Sequence, residues 1–149
     1  MSIPPLPPCR ITLRLVFEGG AMLGPGKAAL LEGIRDRGSI AAAGRAMGMS
    51  YKRAWTLVEE MNAAFRTPLV ERVRGGARGG GAALTGAGSA ALAHYRAFEA
   101  NAALAGAADI EAIAALLPGG AGRRAEAGGD GDGDAESLEM AAKDMAGRK

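Results

Sequence analysis

The sequence predicts a mainly α-helical domain in which two short helices meet at a tight turn and a two-stranded hairpin follows. Three observations predict it. Residues 38–62 carry two apolar stripes at helical period, separated by Gly48. Residues 69–74 alternate at the period of a strand, and residues 82–84 return as a second short strand beyond the glycine-rich residues 75–81. Thr85 then opens a helix whose seam, Gly88, Ala91, Tyr95, Phe98, Ala102 and Ala105, repeats at steps of three and four.

Taken in order, the chain begins with a proline-rich lead-in, residues 1–9, expected to be disordered. Ile11, Leu13, Leu15 and Phe17 alternate with Thr12, Arg14 and Val16, which predicts one half-buried strand ended by Glu18-Gly19-Gly20. Gly24-Pro25-Gly26 reads as a turn into a helix over residues 27–37, with Leu30, Leu31 and Ile34 inward and Glu32, Arg35 and Asp36 toward water. The stretch GPGKAA fits a loose dinucleotide-loop pattern, but no second parallel strand follows and no acidic residue is placed for a ribose. Gly38 closes the helix.

Ser39 is placed to cap the next helix, with Ile40, Ala43, Gly44 and Met47 on its inward face. Gly48 ends it, Met49 crosses the turn, and Ser50 caps a second helix with Ala54, Leu57, Val58 and Met61 inward. Lys52, Thr56, Glu59 and Ala63 fall opposite that seam, with Arg53 and Glu60 on one flank. Small residues at Ala43, Gly44 and Gly48 allow the two helices to approach closely. A cationic, hydroxyl-bearing face then starts at the N-terminus of the second helix, which is the helix-turn-helix layout. An ordinary helical hairpin with solvated Lys52 and Arg53 is the plainer reading of the same residues. Pro68 ends the second helix, and the two strands with their glycine-rich basic tip make a wing. A Walker-type phosphate loop fails there for want of a following Lys-Ser/Thr pair.

The fold class is therefore a winged helix-turn-helix with a short N-terminal strand, a two-stranded wing and a long C-terminal dimerisation helix. Asp109 is expected to cap a further short helix with Ile110, Ile113 and Leu117 on one side. The domain is expected to span residues 10–117. Residues 118–149 form a glycine- and aspartate-rich tail expected to be disordered. Asp130, Asp132 and Asp134 resemble the opening of a calcium loop, but Ala135 and Ala141 stand where its glycine and glutamate belong.

Composition narrows the function. The chain has 149 residues, 48% of them hydrophobic but only 4% aromatic, so its core must come from closely packed helices. The single cysteine, Cys9, excludes an internal disulfide framework and fits the reducing cytoplasm. No apolar run is long enough to span a membrane, and the prolines at the start do not suit a signal peptide. Residues 1–117 hold 13 Lys/Arg against 9 Asp/Glu, while residues 118–149 hold 5 against 7. Within residues 45–81, seven basic side chains face only Glu59, Glu60 and Glu71, which points to a local polyanion footprint. No acid–base or nucleophile constellation suggests an enzyme, His94 has no second ligand at metal spacing, and no cofactor is expected.

The segments SIAAAGRAMGMSYKRAWTLVEEMN and PLVERVRGGARGGGAALTGAG resemble the winged-helix domain of the ModE-type molybdate-responsive transcriptional regulators. Ser50-Tyr51-Lys52-Arg53-Ala54-Trp55 and the wing, residues 75–81, carry that resemblance. Pro68-Leu69, Arg72, Leu84-Thr85 and Gly88 also resemble LysR-type regulators. The resemblance covers roughly residues 10–105 and implies a dimer binding a palindromic operator in double-stranded DNA, in molybdate-related gene control. Full-length ModE-type members carry C-terminal molybdate-binding domains. Residues 118–149 are too short, glycine-rich and acidic to build one, so direct molybdate binding is not expected.

The candidate DNA contacts are Lys52, Arg53 and Thr56 at the groove, Ser50 and Tyr51 at phosphate near the helix N-terminus, and Arg72, Arg74 and Arg78 along the wing. Trp55 is expected in the core rather than as a base-stacking residue. Ala91, Tyr95, Phe98 and Ala102 are the candidate dimer contacts. A winged helix used only for protein interaction, through Tyr95 and Phe98, is the alternative.

Overall fold

A computed structural model describes residues 9–74 and 80–119. The first eight residues, the tip of the wing with Arg78, and the tail from residue 120 with Asp130, Asp132 and Asp134 lie outside the described residues. Elements follow in the order β1 (Leu15–Val16), β2 (Met22–Leu23), α1 (Pro25–Arg37), α2 (Ile40–Ala46), α3 (Tyr51–Ala64), β3 (Val70–Val73), β4 (Gly81–Leu84), α4 (Gly86–Ala105) and α5 (Ala107–Ala115). The fold is mainly α, with two antiparallel two-stranded sheets, β1-β2 and β3-β4.

The N-terminal strand is shorter than expected and has a partner. Leu15 pairs with Leu23 and Val16 with Met22, while Gly19 and Gly20 turn the chain between them with φ of 96° and 99°. Ile11 and Leu13 are half-buried and Thr12 and Arg14 exposed, so the alternation persists beyond the ladder. Two residues are too few to show a period, which is why β2 was not legible. Pro25 belongs to α1 and not to a preceding turn, because proline at the first helical position gives up only an amide that the helix leaves unpaired.

Ser39 Oγ accepts from Ala42 N at 3.1 Å and Ser50 Oγ from Arg53 N at 3.1 Å, so both expected caps form. Ile40, Ala43 and Gly44 are buried in α2, but Met47 is 36% exposed. The helix stops at Ala46, and Gly48 adopts the left-handed conformation at φ 72°. Met49 packs against the core where Met47 was expected. A Cβ at Gly44 would lie 2.8 Å from that of Ala54, so the contact between α2 and α3 excludes any larger residue without movement. Ala54, Val58 and Met61 are buried in α3, with Leu57 half-buried.

The wing strands pair from Val70 opposite Leu84 to Val73 opposite Gly81. Ala82 N donates to Gly38 O at 2.9 Å, which moors β4 to the end of α1. Thr85 caps α4 through Gly88 N at 3.0 Å and donates its own hydroxyl to Pro68 O at 2.6 Å. Gly88, Leu92 and Tyr95 are the buried residues of α4; none beyond Tyr95 is. Tyr95 donates to Leu13 O at 2.7 Å, and Arg96 joins Glu32 at 2.7 Å and Glu99 at 2.6 Å, tying α4 to the N-terminal segment and to α1. Asp109 does not cap α5. That helix resumes directly after Gly106, and Asp109 lies inside its first turn, where it still suits the positive end of the dipole.

Candidate nucleic-acid interface

The serine cap starts α3 at Tyr51, so Tyr51, Lys52 and Arg53 occupy its first turn, and all three are exposed. Thr56 is exposed one turn on. Its hydroxyl donates back to Lys52 O at 2.9 Å, which commits the proton and leaves the methyl group and lone pairs for a partner. Among the described residues, no carboxylate lies within ion-pair distance of Lys52, Arg53, Arg72 or Arg74. The cationic surface at the N-terminal end of α3 is therefore not neutralised from within the described domain.

The start of α2, the start of α3 and the wing enclose an open groove of about 710 Å³. Ser39, Tyr51, Trp55, Arg72 and Arg74 are among its walls. Val70 is buried, and two residues along the same strand Arg72 points to the same side of β3. That alternation turns Arg72 back toward α3 instead of outward along the wing. Its guanidinium carbon sits 4.5 Å from the centroid of the Trp55 ring. Trp55 packs against the core as expected, yet it remains half-buried and also forms this wall. Its indole Nε1 donates to the Tyr51 hydroxyl, and the two rings meet edge to face at 76° with centroids 6.3 Å apart.

Asn62 is a structural residue to which the apolar periods do not point. Its side-chain oxygen accepts from Leu69 N at 2.9 Å and Val70 N at 3.1 Å, and its amide donates to Val70 O at 3.0 Å. It thereby sets the angle between α3 and the first wing strand. A poor helix former in the last turn before Pro68 was the signal for it.

The four candidate dimer residues separate. Tyr95 is 1% exposed and belongs to the core of its own domain, so it presents nothing to a partner. Ala91 and Ala102 are half-buried, and Phe98 is 43% exposed. Leu104, Ile113, Leu116 and Leu117, further along the chain, are exposed as well. His94 is exposed, and among the described residues no three acidic, histidine or cysteine side chains gather as a metal site. No helix among the described residues is long and apolar enough to cross a membrane.

Two helices joined at a glycine turn, a polar cationic face on the second, and a hairpin directly after it define a winged helix-turn-helix domain. Residues 27–89 match the family model of the bacterial regulatory helix-turn-helix proteins of the LysR family. The chain is similar to the molybdenum-pterin-binding protein MopB of Rhodobacter capsulatus, at 48% identity over 56% of this chain and 31% of that protein. It is also similar to the molybdenum transport protein ModE of Azotobacter vinelandii, at 44% identity over 58% of this chain and 32% of that protein. The DNA-binding transcriptional dual regulator ModE of Escherichia coli K12 is 39% identical over 57% of this chain and 32% of that protein. The chain thus carries a winged helix-turn-helix domain homologous to ModE, MopA and MopB over roughly half of its length. It spans about a third of the length of those curated relatives. Sequence and fold together match the helix-turn-helix domain of regulators of the ModE and LysR type.

Proposed function

We propose that this chain is a transcriptional regulator that binds double-stranded DNA sequence-specifically, with α3 in the major groove. The observation that carries this reading is the exposed first turn of α3, a serine-capped helix end where no carboxylate among the described residues neutralises Lys52 or Arg53. Ser50 and Tyr51 are assigned to phosphate at that end, Thr56 to a base edge or thymine methyl, and Arg72, Arg74 and Arg78 to the wing. The regulator function named for the Escherichia coli relative supports the same assignment.

The exposed apolar side chains of Phe98, Leu104, Ile113 and Leu117 support a homodimer on a palindromic operator. They are also what a protein-interaction module without DNA specificity would present. Selection of bound duplexes from a random pool, followed by affinity measured across a salt series, separates the two. A regulator enriches one motif and loses affinity steeply with salt as counterions are released. An interaction module does neither. The names of two relatives, a molybdenum-pterin-binding protein and a molybdenum transport protein, support a role for this regulation in molybdenum-related gene control.

A further inference from the structure

We propose that Tyr51, Trp55 and Arg72 make one preassembled site for a DNA backbone phosphate between α3 and the wing, with Trp55 as the positioning residue that holds the Arg72 guanidinium. This rests on the DNA-binding reading and gives a task to a side chain which that reading leaves as core packing.

A surface arginine samples many rotamers and must be ordered before it grips a ligand. Here the ordering precedes binding. Trp55 is anchored by the core on α3 and by its hydrogen bond to Tyr51, so its ring is a fixed platform. The guanidinium carbon lies over the ring at 4.5 Å from its centroid, and a guanidinium that meets an aromatic ring by its face keeps its N–H edge for another partner. That edge suits the paired oxygens of a phosphate. The location selects the backbone over a base. Arg72 stands on the wing strand and Tyr51 on the first turn of α3, both on the wall of the open groove that separates the two elements. When α3 lies in a major groove and the wing reaches past its edge, a DNA strand must cross that gap. Among the described residues no carboxylate competes for Arg72.

The test uses the full chain and its selected operator. Arg72→Ala should lower the slope of log affinity against log salt by about 0.9 for each phosphate that is no longer neutralised, with unchanged melting. Arg72→Lys keeps the charge but not the planar face, so it should bind more weakly than wild type. Trp55→Leu should reproduce the weakening, and Trp55→Phe, which retains an aromatic face, should restore most of the affinity. A neutral methylphosphonate placed singly along the operator should weaken wild type at one position per half-site. At that position it should have no further effect on Arg72→Ala. Additive effects at every position, full activity of Arg72→Lys and Trp55→Leu, or a weakening that tracks one base pair instead of one phosphate would each overturn the proposal. A wild-type chain that shows no salt-dependent binding to any duplex would instead overturn the DNA-binding reading itself.

Discussion

Gly88 lies so close to the carbonyl of Leu69 that a Cβ on it would stand 2.0 Å from the oxygen. The same carbonyl accepts from Thr85 N at 3.0 Å, so the start of α4 is pressed onto the base of the wing by a contact of backbone against backbone. No flexible side chain can give way there. Gly88→Ala should therefore destabilise the domain by about 3 kcal/mol or more, the upper end of overpacking costs. Gly86, at the very start of the same helix, meets nothing within 4 Å, and Gly86→Ala should be neutral or slightly stabilising. Urea denaturation of the two variants checks the contrast.

Asn62 joins α3 to β3 through three hydrogen bonds to the backbone of Leu69 and Val70, both buried. Asn62→Ala leaves those groups without their partner and should cost about 2–3 kcal/mol. Asn62→Asp keeps the two accepted bonds but sets a carboxylate oxygen against the Val70 carbonyl, so it should not restore stability. Chemical denaturation gives both numbers. Amide exchange at Leu69 and Val70 should accelerate first in Asn62→Ala, which removes their acceptor.

Lys52 and Arg53 are exposed, and their side chains support nothing in the described domain. Lys52→Ala and Arg53→Ala should each weaken operator binding by about 1–3 kcal/mol where they read base edges. Both should melt at the wild-type temperature. Gel shifts on the selected operator check the first outcome and calorimetry the second. Normal binding by both variants would remove α3 from the interface.

Past Tyr95, α4 contributes no buried residue, and Phe98 projects from it at 43% exposure. A dimer formed there should fall apart on Phe98→Asp while each protomer stays folded. Sedimentation over a concentration series should show wild-type dimer and variant monomer, and the operator half-sites should lie about one helical turn, or a multiple of it, apart. A wild type that stays monomeric throughout removes this interface.

A tetrahedral oxyanion needs several converging amides or hydroxyls in a closed site. Among the described residues no charged side chain is buried, and the buried hydroxyl of Tyr95 is already committed to Leu13 O, so no set of polar groups converges on such a site. The 149-residue chain should bind its operator with the same affinity with and without molybdate, because a ligand that prefers neither state shifts no equilibrium. Calorimetry with molybdate, and with sulfate as the size control, decides it. A saturable signal for molybdate alone would reveal a site.

The sequence by itself determined the helices at the centre of this protein. Ser39, Ser50 and Thr85 each cap the helix they precede, and Gly48 makes the turn between α2 and α3. Caps, glycine turns and apolar periods act over a few residues, so they can be read along the chain. Only the tertiary structure decided the rest. Ile11 and Leu13 alternate as a strand would, yet the ladder needs a partner and extends only over Leu15 and Val16. Tyr95 sits on the same seam as Phe98, but the hydroxyl meets Leu13 from the far N-terminal segment and draws the ring into the core. Arg72 has the spacing of any wing cation, and its stack on Trp55 exists because β3 folds back across α3. Each depends on which distant segment arrives against a side chain, and that is set by packing of the whole domain, which no local period encodes.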